Sequence, residues 1–213
     1  VLSNKDSYIY NQGEPTTNLN VDPYHSTRSD GDTLASAAWG GDSGSAEFRT
    51  NTSPDGGGLM YINKNTSSPA GSGGGYNDFP ATRFTLTNGV TYTRSWWCKS
   101  NINQSLSGHI CSCNRDSDNT YIVGSNISLT TEWQRFSETF TYSGPTSTDW
   151  QFRHINYNAS EVSIANVQLE AKGHATPFSS GSRSNTTSLL DITRQSTIDL
   201  SNVSFDSTAH ITF

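Results

Sequence analysis

Asn88–Ser100, with the sequence NGVTYTRSWWCKS, shows the alternation of a β-strand that follows a turn. An Asn-Gly pair is a strong turn signal, and successive side chains of a strand point to opposite faces. Each face of this strand therefore receives one tryptophan. We predict that Trp96 faces a core, because Tyr92 and Cys98 share its side. Its neighbour Trp97 then faces outward.

The composition of the 213-residue chain limits its core and its partners. Charged residues make up 15% and aromatic residues 11%, so a small number of large side chains must fill the core. A net charge of -6 without any Lys or Arg run argues against a nucleic-acid partner. No apolar run is long enough to span a membrane. Three cysteines are too few for a disulfide framework, and we expect them to be small buried residues.

Further segments of the chain repeat the strand pattern between turn signals. Residues 132–142 alternate strictly, and residues 150–157 and 162–170 follow at similar spacing. We also predict a strand over 106–113, with its hairpin partner over 120–124. Because no apolar period of 3.6 residues is sustained, the pattern predicts an all-β fold, an antiparallel jelly-roll β-sandwich with a C-terminal extension.

The character of the sequence changes after Phe178. A Ser-rich run over 179–188 is typical of a linker, and short apolar groups follow it. We therefore divide the chain into a jelly-roll domain, residues 1–178, and an extension, residues 179–213, that contains the first strands of a second β unit. A unit this short cannot complete a core, so we expect it to pack on the sandwich or on another subunit.

Three separated stretches resemble one family of domains: GVTYTRSWWCKS (89–100), LTTEWQRFSETFT (129–141) and IANVQLEAKGHATPF (164–178). They are similar to the carbohydrate-binding-module-like jelly rolls of tailed-phage structural and fibre proteins. The following GSRS, with LLDIT at 189–193, resembles the start of a concanavalin-like lectin segment. One departure is Arg94, which stands where this family usually has an apolar core residue. Either that end of the strand is solvated or the core there is unusual.

The resemblance implies a phage virion protein, in a fibre, spike or capsid decoration, that lies on the particle surface and is therefore extracellular. Its partners would be other virion proteins and host surface polysaccharide, bound weakly by each copy and effectively by many. We expect a homo-oligomer, with a trimer as the first choice. Two alternatives stay open, since fold similarity does not decide function. One is a purely structural assembly module without a ligand, and the other is the accessory binding domain of a polysaccharide-degrading enzyme.

A sugar-binding surface requires flat aromatic rings and planar polar groups, because pyranose rings have apolar C-H faces and polar edges. We predict such a surface around Trp97 and Lys99. Trp150, Tyr121 and Gln168 are the further candidates for it. The competing expectation is that a loop or a neighbouring subunit covers Trp97.

Metal binding and catalysis have little support in the sequence. RDSDNT, residues 115–120, begins like a calcium loop but lacks the later Gly and Glu of an EF-hand. We predict no cofactor, and a structural calcium of the jelly-roll type stays open. His109, Cys111 and Cys113 would supply three of the four ligands that zinc needs, and no fourth is visible. No carboxylate pair or nucleophile motif stands out, so we expect a protein that is not an enzyme.

Overall fold

The computed structural model describes residues 14–35, 44–65, 75–78, 83–156, 158, 160–183, 204–205 and 211–212. Regular structure in this part of the chain is β-strand, and it contains no helix long and apolar enough to cross a membrane. The all-β prediction is confirmed. The strands are β1 (Thr16–Thr17), β2 (Thr33–Ala35), β3 (Gly44–Thr50), β4 (Leu59–Asn65), β5 (Gly75–Asp78), β6 (Phe84–Leu86), β7 (Thr91–Ser100), β8 (Gln104–Leu106), β9 (Ser112–Arg115), β10 (Thr120–Ile122), β11 (Ile127–Leu129), β12 (Gln134–Thr141), β13 (Ser147–Asn156), β14 (Glu161–Glu170), β15 (Ser182–Arg183), β16 (Ser204–Phe205) and β17 (Ile211–Thr212).

Two antiparallel sheets form a sandwich. The six-stranded sheet has the order β12-β7-β14-β4-β3-β2. The five-stranded sheet has the order β10-β9-β13-β5, and β6 pairs with β13 as well. Three smaller antiparallel pairs join β1 to β15, β8 to β11, and β16 to β17. The predicted antiparallel sandwich is therefore confirmed.

Strand β7 lies inside the six-stranded sheet, between β12 and β14. Its predicted alternation is confirmed, since Tyr92, Trp96 and Cys98 are all buried in the core. The predicted turn before it is present and has Gly89 at φ 80°, a conformation that suits glycine. This turn connects the two sheets, because β6 before it pairs with β13 of the five-stranded sheet.

Aromatic rings occupy much of the core, as the composition requires. Phe84 packs on Phe152 with ring centres 4.9 Å apart, and Trp150 meets Tyr142 edge to face at 5.4 Å. Each such ring pair contributes about 0.5 to 1.5 kcal/mol beyond the burial of its area. The core thus combines aromatic rings with Leu, Ile and Val side chains.

Arg94 lies in the core, with 1% of its surface exposed. Its Nη2 donates to Glu138 Oε2 at 2.6 Å, and its Nη1 donates to the carbonyl oxygen of Ile122 at 2.8 Å. Nη1 also lies 3.7 Å from Cys113 Sγ. Of the two explanations for this departure, the second holds: the core is unusual here, since a charged pair replaces apolar packing.

The predicted strand over 106–113 is wrong. In the structure β8 ends at Leu106 and β9 begins at Ser112, with a turn between them in which Cys111 has φ 55°. Two glycines fix this turn: Gly124 N donates to Gly108 O at 2.8 Å, and a Cβ on Gly108 would lie 1.8 Å from Gly124 O. The predicted hairpin is confirmed, but its first strand is β9: β10 pairs antiparallel with β9.

All three cysteines, Cys98, Cys111 and Cys113, are free and buried, which confirms their expected role. Burial raises the pKa of each thiol, so the thiols stay protonated at neutral pH. Burial thus opposes the thiolate form in which Cys111 and Cys113 would bind a metal together with His109. In the described part of the chain, no three His, Cys, Asp or Glu side chains are grouped to hold a metal ion.

Two terminal segments, residues 14–20 and 171–183, cover one end of the outer face of the six-stranded sheet. The short strands β1 and β15 pair there. Asn18 N donates to Gly181 O at 3.0 Å, and the Asn18 side-chain amide donates to Ser179 O at 3.0 Å. The start of the predicted extension thus lies against the sandwich, while β16 and β17 pair with each other. The domain division after Phe178 stays a prediction.

Candidate functional site

The structure separates the five residues predicted for one sugar-binding surface. Trp97 and Lys99 lie half-buried on the outer face of the six-stranded sheet, which is the outward position predicted for them. Tyr121 lies on β10 of the five-stranded sheet, on the opposite side of the sandwich. Trp150 and Gln168 reach neither surface. The five residues therefore do not form one site.

Burial removes Trp150 and Gln168 from any exposed surface. Trp150 is 1% exposed because it lies in the core between the sheets. Gln168 points away from the core but is 0% exposed, because residues 171–183 cover it. Its side-chain amide donates to Thr176 Oγ1 at 3.2 Å and accepts from Ser179 N at 2.6 Å. Every second side chain of a strand points to the outer face of its sheet, but at some positions another segment covers that face and keeps solvent away.

A row of polar side chains lies on the outer face of the five-stranded sheet, across two neighbouring strands. Gln151 of β13 is opposite Asn114 of β9, and Arg153 is opposite Ser112. All four side chains are at least nine-tenths buried, with exposures from 0% to 5%. We call these four residues the polar row. Such a row is unusual on the outside of a sandwich, where polar side chains normally reach solvent.

Hydrogen bonds hold the polar row in place, and one acceptor oxygen of the row receives none from the described residues. Gln151 Nε2 donates to Asn114 Oδ1 at 3.4 Å, and Ser112 Oγ donates to the carbonyl oxygen of Arg153 at 3.1 Å. Gln151 Oε1 is buried and, among the described residues, has no hydrogen-bond partner. Buried polar atoms are nearly always paired, so this unpaired amide oxygen is an exception, and it lies beneath the solvent-exposed surface.

Tyr121 provides an aromatic ring beside the polar row, because it pairs with Asn114 across the β9–β10 hairpin. The Arg153 guanidinium lies over this ring, with Cζ 5.3 Å from the ring centre, and donates to the Tyr121 hydroxyl. The His109 ring meets Tyr121 edge to face at 5.7 Å. Burial lowers the pKa of His109, so its imidazole is neutral at pH 7. Tyr121 is thereby fixed in orientation while still half-buried.

Carboxylates border this face, and arginines already bind them. Arg83 bonds to Asp116 at 2.6 Å and also to Asp149. Arg115 donates to Asp118 at 2.9 Å, and its hydrogen bonds lower the pKa of that carboxyl group. The RDSDNT loop is therefore closed by arginine-carboxylate pairs. Carboxylates held in this way are poorly placed either to bind calcium or to act as an acid-base pair.

The polar row was missed in the sequence, although one signal points to it. In β13 the aromatic residues Trp150 and Phe152 alternate with Gln151 and Arg153. This is the pattern of a strand with one face in the core. The contribution of Asn114 was not visible, because the pairing of β9 with β13 joins residues far apart in the chain.

The fold is a β-sandwich, and one sheet face has an aromatic ring next to fixed amide and guanidinium groups, the group types that contact the apolar faces and the hydroxyls of a sugar. A family model described as "Carbohydrate binding domain", CBM_4_9, matches residues 30–155, which is more than half of the chain. The chain belongs to this carbohydrate binding domain family. The predicted resemblance to carbohydrate-binding modules is confirmed at this level.

Solved structures that match parts of the chain at low identity include carbohydrate-binding modules. The CBM22-1–GH10 modules of Clostridium thermocellum xylanase Xyn10B, solved with xylohexaose, have 15% identity and a TM-score of 0.45, over 78% of this chain and 29% of that chain. The CBM22-1 xylan-binding domain of Paenibacillus barcinonensis Xyn10C has 11% identity and a TM-score of 0.42, over 69% of this chain and 99% of that one. Among curated proteins, none matches the sequence.

These comparisons bear unequally on the remaining predictions. Membership of a carbohydrate binding domain family fits the expectation of a protein that is not itself catalytic. It supports the accessory-domain alternative better than the virion protein that was the first expectation. The phage origin, the virion partners, the virion surface location and the trimer stay predictions from sequence resemblance alone.

Proposed function

We propose that the chain is a non-catalytic carbohydrate-binding module that binds polysaccharide on the outer face of its five-stranded sheet. In this function it serves as the accessory binding domain of a protein that acts on polysaccharide. The observation that carries the proposal is the half-buried Tyr121 ring, which Arg153 holds in place next to the exposed Asn119. Family membership supports the same ligand class.

The chemistry of this face suits a sugar chain. A pyranose ring stacks its C-H face on Tyr121, and its hydroxyls meet the planar polar groups exposed beside that ring. Asn119, which is exposed and accepts from Arg153 Nη1 at 3.3 Å, extends these polar groups toward solvent. Because the groups are already held by one another, binding orders few side chains and its entropic cost is small.

Binding is favoured over hydrolysis on this face. Glycoside hydrolysis needs two carboxyl groups on either side of a bond, one of them with a raised pKa. The nearby carboxylates Asp116 and Asp149 are both bonded to Arg83 instead. Their oxygens are therefore occupied by a guanidinium and do not lie on either side of an open cleft.

The test is affinity electrophoresis of the purified chain on gels that contain soluble polysaccharides: xylan, β-glucan, galactomannan and pullulan. We expect at least one polysaccharide to retard the wild-type chain. Tyr121→Ala should weaken that binding about fivefold or more, because stacking contributes about 1 kcal/mol or more. Tyr121→Phe is the matched control, since it keeps the ring and removes only the hydroxyl that accepts from Arg153.

A second variant examines the polar row. Gln151→Met keeps the length of the side chain and removes the Nε2 donor to Asn114, the residue that pairs with Tyr121, so we expect weaker binding with little change in the fold. Undiminished affinity in both Tyr121→Ala and Gln151→Met, with circular dichroism unchanged, would place the ligand elsewhere. No retardation of the wild type by any polysaccharide would contradict the proposed function itself.

A further inference from the structure

The outer face of the six-stranded sheet has its own aromatic surface, on the opposite side of the sandwich from Tyr121. Trp97 and Lys99 both point outward from β7, two residues apart. Gln134 pairs with Cys98 in the register of β12 and β7, so Trp133 lies next to Lys99 at the end of the sheet. Lys99 Nζ lies 5.0 Å from the centre of the Trp133 ring. We call Trp97, Lys99 and Trp133 the indole surface.

The Trp97 ring is fixed in place by a loop. Its Nε1 donates to Asp55 Oδ2 at 2.6 Å, and Asp55 belongs to the connection between β3 and β4. A hydrogen bond from an indole to a carboxylate is charge-assisted and therefore stronger than a neutral one. The bond sets the orientation of the ring before any ligand arrives.

The strand neighbours of Trp97 leave it partly accessible. On one side it pairs with Ala165, whose side chain is too small to cover an indole. On the other side it pairs with Arg135, whose guanidinium turns toward Ser95 Oγ at 3.1 Å and Thr176 O. Trp97 is half-buried as a result, whereas the same outer face is fully covered at Gln168.

A hydrogen-bond acceptor and a hydrogen-bond donor flank the Trp97 and Trp133 rings. Asp55 uses Oδ2 for Trp97, and among the described residues its Oδ1 receives no hydrogen bond, so Oδ1 can accept from a hydroxyl. Lys99 can donate from its ammonium group while it stays over Trp133. In the described part of the chain neither Asp55 nor Lys99 forms an ion pair. A neutral sugar with hydroxyls next to an apolar ring face fits one acceptor, one donor and two indoles.

We propose that the indole surface is a second polysaccharide-binding site, which takes a neutral pyranose chain across Trp97 and Trp133. This inference extends the proposed function, since it assumes that the module binds polysaccharide. The two sites lie on opposite faces of a sandwich, with two sheets about 10 Å apart between them. One molecule therefore holds two separate polysaccharide strands and cross-links them.

The experiment measures bridging as well as binding. Two bead populations are coated with the polysaccharide that binds the wild type best, and each population is labelled with a different dye. The beads are mixed with protein, and flow cytometry counts the aggregates that contain both dyes. We expect the wild type to bridge the beads. Trp97→Ala and Tyr121→Ala should each still bind but bridge at least fivefold less, and the double variant should do neither. Light scattering establishes the oligomeric state of each variant.

Two further variants separate loss of binding from loss of fold. Trp97→Tyr keeps a flat ring and should keep most of the bridging, whereas Lys99→Ala removes a half-buried donor without entering the core and should reduce it. The proposal of a second site is overturned if Trp97→Ala bridges beads at the wild-type level. It is also overturned if the wild type binds the polysaccharide but does not bridge the beads. If Tyr121→Ala binds fully and Trp97→Ala does not bind, the proposed function of the Tyr121 face fails while the indole surface stands.

Discussion

Arg94 and Glu138 form an ion pair inside the sandwich, with Arg94 Nη2 2.6 Å from Glu138 Oε2. Arg94 is 1% exposed, while the Glu138 side chain keeps 19% of its surface. Glu138 also accepts from the backbone nitrogen of Ser125 at 2.5 Å, so it joins the loop after β10 to the edge strand β12. A single carboxylate thereby neutralises a buried charge and positions a loop.

Removing one partner of this pair should destabilise the fold strongly. Glu138→Ala leaves the guanidinium buried without a counter-charge, and we expect a loss of about 3 kcal/mol in the free energy of unfolding. Arg94→Met with Glu138→Leu should recover most of this loss, because buried ion pairs are often replaceable by apolar side chains of similar size. Urea unfolding followed by tryptophan fluorescence measures the free energy of unfolding of the single and the double variant. A Glu138→Ala variant as stable as the wild type would contradict the role of the pair.

The outcomes for individual residues show which features the sequence could predict. Trp96 was assigned to the core correctly, because alternation is local and its face also carries Tyr92 and Cys98. Trp150 has the same local pattern, but alternation does not say which of the two faces is the core. Gln168 faces outward as alternation implies, yet its burial depends on a segment that returns to cover it.

The candidate site was less predictable than the fold, for a related reason. Tyr121, Asn114 and Gln151 come together only because β9 lies between β10 and β13. Such pairings join distant parts of the chain, and nothing in a single strand specifies its neighbour. Arg94 is a further case: the sequence left open whether its end of the strand is solvated or buried, because its partner Glu138 lies on another strand.

The close approach of two loops makes Gly108 a sensitive position. A Cβ there would lie 1.8 Å from the carbonyl oxygen of Gly124, and backbone cannot yield as a flexible side chain does. We expect Gly108→Ala to lower the free energy of unfolding by about 2 kcal/mol. Gly173→Ala is the matched control, because a Cβ at that position meets nothing within 4 Å. Chemical denaturation compares the two; equal midpoints would show that the loops separate without cost.

The buried Glu170 carboxylate should make Thr176 important for holding the terminal segments. Thr176 Oγ1 donates to Glu170 Oε1 at 2.6 Å, and Thr176 N donates to Glu170 Oε2 at 3.0 Å. Thr176→Val keeps the shape and removes the first bond, and hydrogen bonds to charged groups contribute about 1.5 to 3 kcal/mol. We expect a loss of about 2 kcal/mol, measured by thermal unfolding.

A local readout distinguishes this effect from general destabilisation. Leu19 belongs to the first terminal segment and its N donates to Leu169 O at 2.7 Å, so its amide should exchange with deuterium faster in Thr176→Val. Thr85→Val, at an exposed strand position, is the control and should leave both the stability and the exchange unchanged. Unaltered exchange at Leu19 in the Thr176 variant would argue against the cover.

Two buried histidines should make the domain lose stability in mild acid. Burial lowers the pKa of His154 to about 3 and that of His25 to about 4, from an ordinary value of 6.5. His154 is also required in its neutral form, because its Nδ1 accepts from Cys111 N at 3.0 Å. Below pH 6.5 the unfolded chain takes up protons that the folded chain does not, so protonation favours unfolding.

Each histidine should therefore reduce the free energy of unfolding by about 1.4 kcal/mol per pH unit, from about pH 6 down toward its folded pKa. Urea unfolding at pH 7.0, 6.0, 5.5 and 5.0 measures this slope above the range in which most carboxylates titrate. His25→Phe, whose ring can keep the edge contact that His25 makes with Phe48 at 5.2 Å, should remove about half of the slope. A stability that is constant from pH 7 to pH 5, or a slope that His25→Phe leaves unchanged, would contradict this origin of acid sensitivity.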